Sequence, residues 1–598
     1  MNLPTSFLGR AVSSFLLRRA VRTCVARIAV GLTNAALTGV VALTGVAGLL
    51  LLPGVARAQY NPVVGSQNTV TADPPVSRPK GKACLVQLYS GVQFNDFNPR
   101  YYSYAPPVDC AGPWDKVIFT ADFSVSAGVQ YDRTAQVFLG HVNLYYGTTP
   151  EPGSTLAPTW HAERDVTDYS ALFTSAQSGE VDLGNLVNST YTGVISGSAT
   201  LEFYPARDHG NDGADGHGDG GGSLTADALY PLPNAAGGAK GLNQTSDQLS
   251  ETFTLPTNVE RAYLDVITQS QSNDEFWYTC VPNDVASELD SCGNTPFREA
   301  EISVDGQPAG VAPVYPWIFT GGIDPYLWFP LPGVQTLNFV PYRIDLTPFA
   351  GVLSNGQPHT VAVSVFNADS YFLATATLLV FQDHGAKQVS GAVTTNTIGA
   401  GPTPSVVENL QTDASGDVSG AVTVSSARDF HLAGYVKTSH GRVDTDVHQS
   451  VNFSNVQNFT INATSYIQDI TQKTTVESRT ITRGDGQIFA TLESFQYPLT
   501  LNISEIFNED GSLNIQTTSS QHFKNDILEP FFASAVDNAV SSTDTLQLDA
   551  SFNLIGNTGQ KSAQKYVYVD SRGGDYSCKL TAANNTLTSV SEGCPGQK

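Results

Sequence analysis

Apolar and polar residues alternate with a period of two in one short stretch after another along this chain, which predicts strands joined by turns. The stretch around which the rest is organised is 129–140, VQYDRTAQVFLG. Ala135, Val137 and Leu139 fall on one face of it; Thr134, Gln136 and Phe138 fall on the other, with Asp132 sharing that second face at the strand's mouth. A carboxylate so placed beside Arg133 either closes a loop, as a salt bridge or turn acceptor, or awaits a substrate. The same pattern predicts strands at 117–123 and 198–203, then at 258–267, 298–304, 359–366 and 371–381, and finally at 422–435, 456–467, 474–481 and 546–554. Residues 160–173, WHAERDVTDYSALF, read as a strand running into a turn and a short helical cap, with Asp165 and Thr167 as turn or N-cap acceptors.

The strand blocks divide the 598 residues into an all-β chain of several domains. Residues 1–58 carry arginines, no acid and a long apolar run that ends at Ala56-Arg57-Ala58, the marks of an export signal. That run is long enough to span a bilayer, but the exit motif favours removal, so no stable membrane anchor is expected. Residues 59–82 form a Pro-rich extended lead-in without a core. A first β-sandwich or jelly-roll domain spans 83–205, a Gly/Asp-rich connector 206–249, and a second such domain 250–385. A Gly/Thr/Pro linker at 386–417 leads to a C-terminal β-rich domain at 418–598. Inside the connector, 208–219 (DHGNDGADGHGD) resembles a calcium loop but has neither EF-hand spacing nor a nonapeptide repeat. It reads as a solvated connector, with no metal expected. His431, His440 and His448 are scattered and read as ordinary surface histidines.

Charge and cysteine content narrow the setting. Of 31 basic residues six leave with the signal, so 25 face 55 acidic ones, a net charge near −30. Nucleic acid is thereby excluded as a partner, because phosphate binding needs a basic face. An acidic working environment fits, since protonating carboxylates relieves self-repulsion. Six cysteines remain as three local pairs, and although six allow about fifteen connectivities, the clustering favours 84–110, 280–292 and 578–594. Disulfides place the protein in an oxidising compartment, secreted or periplasmic.

The chain lacks a G-x-S-x-G elbow, an H-E-x-x-H pair, a phosphate-cradling loop and a dinucleotide fingerprint. What remains is carboxylate chemistry on a β frame, without a cofactor, beside aromatic loops such as 273–278 (NDEFWY) and 315–325 (YPWIFTGGIDP). Aromatic faces and acidic side chains are also how sugars are held. The residues themselves admit a glycoside hydrolase, a glycan-binding surface protein or a hydrolase acting beside a sugar.

The ordered runs PWDKVIFTADF, YDRTAQVFLGHVNL, WHAERDVTDYSALF, NDEFWYT, FREAEISVDG, YPWIFTGGIDPYLWFP, YRIDLTPF and SVFNADSYFLATATL resemble the peptide-N-glycanase A family. The likeness is dense over 84–385 and continues more weakly through VSSARDFHLAGYVKTSHGRV. It implies hydrolysis of the amide joining an N-glycan to asparagine, with release of the glycan as a glycosylamine and conversion of that asparagine to aspartate. The partners so implied are N-glycosylated peptides and proteins, met by a monomer. A more distant similarity to the bacterial peptide-N-glycanase F type implies two jelly rolls with the site between them. Its catalytic W-D-R-Y-A strand matches Tyr131-Asp132-Arg133-Thr134-Ala135, and its D-V-T-D matches 165–168. That type has a glutamate shortly before an F-R pair; here Phe297-Arg298 follows Asn294-Thr295-Pro296, with no acid.

The resemblance therefore implies Asp132 as the base, kept near Arg133, with Glu275 as the second carboxylate and Glu299 as runner-up. Asp274 and Arg298 support them. Trp160, Trp277, Trp317 and Trp328 are candidates to stack on the inner sugars, with Glu163 among the substrate-binding residues.

Overall fold

A computed structural model describes residues 61–206 and 225–597. The export segment, the 208–219 run and Lys598 lie outside the described residues.

The first domain pairs its strands as a nested set. Cys84–Phe94 pairs with Ile195–Pro205, Arg100–Tyr104 with Gln177–Asp182, Trp114–Val125 with Thr159–Asp165, and Thr134–Leu139 with Val142–Thr148. These strands form two four-stranded antiparallel sheets that bury one apolar core. Val117, Phe119, Ala121 and Phe123 enter it from one sheet, and Ala135, Val137 and Leu139 from the other. The alternation at 134–139 therefore sets the inward face as expected, but the opposite face is covered too. Gln136 is buried and accepts the Ala239 N–H at 3.0 Å. The 3-10 turn Thr167–Thr174 follows the strand Thr159–Asp165, and Asp165 accepts the Thr167 N–H at 3.0 Å.

The second domain repeats the nesting. Lys240–Gln244 pairs with Asp369–Gln382, Leu249–Thr254 with Pro358–Phe366, Val259–Ser270 with Tyr342–Asp345, and Glu299–Val304 with Gln307–Pro313. An extra strand, Ala228–Leu232, adds to Asp369–Gln382. The described part of the presumed connector thus contains two strands of this domain, Ala228–Leu232 and Lys240–Gln244. Gly, Asn and Asp are so frequent there that composition hides the short edge strands.

The rest is one antiparallel sheet of eleven strands, from Ser390–Asn396 to Thr586–Val590. Its long strands Val418–Thr438 and Gly441–Ile461 face each other residue for residue. The presumed linker at 386–417 contains two of its strands, Ser390–Asn396 and Ser405–Thr412, both pairing with Val418–Thr438. Two strand boundaries also shift: 456–467 spans a turn between two strands, and 546–554 turns between Phe532–Leu548 and Leu554–Asp570. Both turns are closed by Asx side chains, Asn462 and Asp549.

The lead-in is extended, but it is not without burial. Val70 and Ala72 pack with Leu580, Ala582 and Leu587, and Ala72 donates to Gln564 at 2.6 Å. A few residues later Arg78 pairs with Glu163 and Glu202 of the first domain, so this strap crosses from the C-terminal sheet to the first domain. All three disulfides form as the sequence indicated: Cys84–Cys110, Cys280–Cys292 and Cys578–Cys594.

Candidate active site

Asp132 precedes the strand Thr134–Leu139, and the hairpin that follows returns the chain to it. Because Thr134 pairs with Thr148, the residues just beyond the strand ends, Asp132 and Glu151, meet across the hairpin mouth. The Asp132 N–H points at Glu151 Oε2, 3.4 Å away. From the second domain the loop at 319–324 closes over this pair. Its Gly321 N–H donates to Asp132 Oδ2 at 2.9 Å, and Thr320 Oγ1 donates to the Thr149 carbonyl at 2.8 Å. A Cβ at Gly321 would run into Glu151 Oε2 and come within 3.2 Å of Asp132 Oδ1, so a larger residue there displaces the Glu151 carboxyl group.

The seam around this contact is stitched by hydrogen bonds to two backbone carbonyls and one side-chain amide. Tyr145 donates to the Leu337 carbonyl at 2.6 Å, Thr148 N–H to Thr336 at 2.8 Å, and Tyr146 to Gln269 at 2.7 Å. Trp328 Nε1 donates to the Gly322 carbonyl at 2.9 Å and fixes the loop from beneath.

The electrostatics of the pair follow from burial. Desolvation pushes the Asp132 carboxyl above its ordinary value, opposed by the Gly321 N–H and the Arg133 charge. Glu151 is pushed well above its ordinary value, first by burial and then by the Asp132 charge, with Glu275 adding to the rise. Arg133 acts on both through space; its guanidinium lies over the Tyr131 ring, 5.8 Å from the centroid. Both carboxyl groups are thus pushed toward the protonated form, Glu151 more strongly than Asp132, an asymmetry suited to acid–base chemistry.

Glu275 thus joins the cluster as a neighbour of Glu151, on the loop between the 3-10 turns Ser272–Asp274 and Trp277–Thr279. Asp274 pins that loop. It is fully buried, pairs with Arg298 at 2.8 Å and accepts the Asp369 N–H at 2.6 Å. Asp274 and Arg298 therefore form a structural pair. Glu299 is turned to the C-terminal sheet, where it pairs with Arg428; burial holds its carboxyl at about 7. It does not join the cluster.

The four tryptophans and Glu163 are placed differently from the expectation. Trp160, Trp277, Trp317 and Trp328 are all buried. Trp160 stacks on Phe123 at 5.3 Å, and Trp317 packs on Phe339 at 4.4 Å. Their rings fill cores, as large apolar surfaces do when the fold can enclose them. Burial raises the Glu163 carboxyl, but bonds from His161 and Arg78 outweigh it and hold the group at about 2. Glu163 anchors the lead-in.

Sequence reasoning missed Glu151 and Gly321. The Thr149-Pro150-Glu151-Pro152 run offered a signal, because hairpin register from the turn at 140–141 brings that acid opposite Asp132.

Beneath the site loops lies the C-terminal sheet. A row of buried amides on its inner face donates to irregular backbone of the second domain. Asn455 reaches the Tyr278 carbonyl at 2.9 Å, Gln457 that of Cys280 at 2.7 Å, Gln468 that of Thr279 at 3.0 Å and Gln521 that of Pro316 at 2.6 Å. Buried polar groups persist where they are bonded, and these amides make the sheet a platform for the 275–280 and 316–334 loops.

Two groups elsewhere bring possible metal ligands within 4.8 Å of one another: His431, Asp446 and His448, and Glu260, Asp383 and His440. In the first, the imidazoles stack nearly parallel at 4.0 Å, and Asp446 pairs with both His431 and Arg483. In the second, Asp383 accepts from Ser439 and the Gly385 N–H.

A half-buried pair of carboxyl groups, both pushed toward protonation, lies where the sheets of two β domains meet, an arrangement suited to acid–base chemistry. The chain belongs to the peptide N-acetyl-β-D-glucosaminyl asparaginase amidase A family, and is an enzyme of that amidase type: the family model matches residues 70–398, and the family's C-terminal domain model matches 421–499. Peptide-N4-(N-acetyl-β-glucosaminyl)asparagine amidase A of Prunus dulcis is 31% identical over 398 residues, 64% of this chain and 67% of that one. Among solved structures, PNGF-II is similar at a TM-score of 0.36 and 14% identity, over 51% of this chain and 66% of that one. PNGase F, a glycosylasparaginase of Flavobacterium meningosepticum, is similar at a TM-score of 0.33 and 13% identity, over 50% of this chain and 96% of that one.

Proposed function

We propose that the protein hydrolyses the amide between the innermost GlcNAc of an N-glycan and the asparagine of a glycopeptide or glycoprotein. It releases the intact glycan as a glycosylamine and leaves aspartate. The observation that carries this reading is the half-buried Asp132–Glu151 pair, in a chain similar to an amidase named for that bond.

In this mechanism Asp132, ionised and held by the Gly321 N–H, takes a proton from water as it attacks the amide carbon. Glu151, kept protonated by burial and by its acidic neighbours, gives its proton to the departing nitrogen. Glu275 helps hold that proton on Glu151. The enzyme works as a monomer in an oxidising compartment, secreted or periplasmic, where its three disulfides persist. Among the described residues no helix is long and apolar enough to cross a membrane.

Incubation with a glycopeptide followed by mass analysis of both products tests the reading. Conversion of asparagine to aspartate supports it. A GlcNAc left on the peptide means a glycosidase, and an unchanged glycopeptide that is retained on the protein means a binder.

A further inference from the structure

The loop that carries Gly321 continues into Asp324, which caps the short turn Pro325–Trp328 by accepting the Tyr326 N–H on Oδ1 at 2.9 Å. Asp324 is fully buried. Facing it is Asp544, on the strand Phe532–Leu548 of the C-terminal sheet, equally buried and accepting from Asn557 Nδ2 on its own Oδ1 at 3.1 Å. The Oδ2 of each is buried without a hydrogen-bond partner, the two carboxyl groups lie close enough to interact, and the Thr545 N–H also reaches Asp544.

Two ionised carboxylates have only acceptors to offer one another. Buried together with one oxygen each unsatisfied, they fit only if a proton lies between them. The other ionisable groups facing the pair are Tyr326 and, beyond it, Glu151; Asn557 on the adjoining strand is uncharged.

We propose that Asp544 is a positioning residue for the amidase reaction: it shares a proton with Asp324 and thereby holds the Gly321 loop against Asp132. The assignment rests on the proposed function for its catalytic meaning, but the clamp itself is a property of the fold. It gives the C-terminal sheet a role at the site. The sheet supports the loop from below and locks it only while one proton remains in the pair. Burial and mutual repulsion lift Asp324 well above the ordinary carboxylate range. The proton is therefore bound in the folded pair and absent from the unfolded chain over that interval. Its stabilisation is present in acid and is lost as pH rises through the raised value. Two like charges then face each other and the loop loosens.

Hydrogen exchange of the 319–328 segment, compared at matched pH between wild type and variants, reads the clamp without any substrate. In wild type, protection of this segment falls on going from about pH 5 to about pH 9, after correction for intrinsic exchange, while the sheet strands stay protected. Asp544→Asn supplies a permanent N–H donor to Asp324, so protection persists into alkaline pH. Asp544→Ala removes the partner, so protection is low at both pH values. On a glycopeptide, Asp544→Ala lowers kcat about ten- to hundredfold with KM little changed, the scale expected of a misplaced group near the chemistry, and Asp544→Asn restores it.

Unaltered exchange in Asp544→Ala, or a wild-type segment indifferent to pH, overturns the clamp. If Asp544→Ala does not fold, the wild-type pH comparison and Asp544→Asn still decide. If wild type proves inert on every glycopeptide, the function fails while the exchange result stands by itself.

Discussion

Asp132→Asn separates a base from a turn acceptor at this position. Asparagine keeps the size of the side chain and an oxygen for the Gly321 N–H at 2.9 Å, so the closed loop survives the change. What it loses is the basic lone pair. A positioned general base contributes ~10²–10⁴ in rate, which at about 1.4 kcal/mol per decade is roughly 3–5 kcal/mol of barrier. Stability moves the other way. Burial is the largest influence on Asp132 and disfavours its charge, so an uncharged isostere leaves the melting temperature at neutral pH unchanged or higher. Had Asp132 formed a buried ion pair with Arg133, the same substitution would cost about 3–5 kcal/mol of stability instead. The assay is product formation from a glycopeptide by mass spectrometry, beside a thermal scan of the same preparation. A stable Asp132→Asn protein with full activity would falsify the assignment.

Glu151→Gln keeps bulk but has no proton to give, so kcat falls about a hundredfold or more; a pH–rate profile that keeps its alkaline limb would show that another group sets it. Gly321→Ala drives a Cβ to 2.1 Å from Glu151 Oε2, and the carboxyl pair must spread: the expected outcome is near-complete loss of turnover with a melting temperature close to wild type, whereas retained turnover counts against a closely packed site. Replacing Cys280 and Cys292 together with serine frees the loop that follows Glu275, lowering stability by about 2–4 kcal/mol in a denaturant titration and activity by more than that loss explains; an activity loss no larger than the unfolded fraction would assign the bridge to the fold alone. Burial raises Asp73 to about 6 and Glu299 and Glu505 to about 7, so each binds its proton more tightly folded than unfolded and contributes stability in acid that is lost as pH rises through those values; melting temperatures should fall from about pH 5 to about pH 8, and a flat or rising curve would contradict this.

The all-β class was legible because period-two alternation is a local property, and so were the disulfides, whose partners lie close in sequence. Asp132 stood out for the same reason, as a charge at the mouth of an apolar strand. The tryptophans misled because an indole in a loop-rich stretch has the same sequence signature whether it faces solvent or core. Trp328 sits in the YPWIFTGGIDPYLWFP run, yet its ring is buried and its Nε1 serves a backbone carbonyl. Glu299 misled in a related way: its pairing partner, Arg428, lies 129 residues on, in another sheet.

The C-terminal sheet was least legible, and the cause is chemical. Alternation assigns polar positions to solvent, but Asn455, Gln457, Gln468 and Gln521 point inward, and what they bond is the carbonyls of loops that pack no regular ladder of their own. A loop rich in Pro, Gly and aromatics leaves backbone acceptors unpaired, and each must be met by a donor when it is buried. A sheet carrying Gln and Asn on its inner face meets that need where an apolar sheet could not. Such a face is invisible to a rule that equates buried with hydrophobic, but it is a direct requirement of placing irregular loops against the C-terminal sheet. Asp544 belongs to the same face. There the loop presents a carboxylate in place of a carbonyl, and the sheet answers with a carboxyl group that can keep a proton, so that support for the site becomes dependent on pH at this one point.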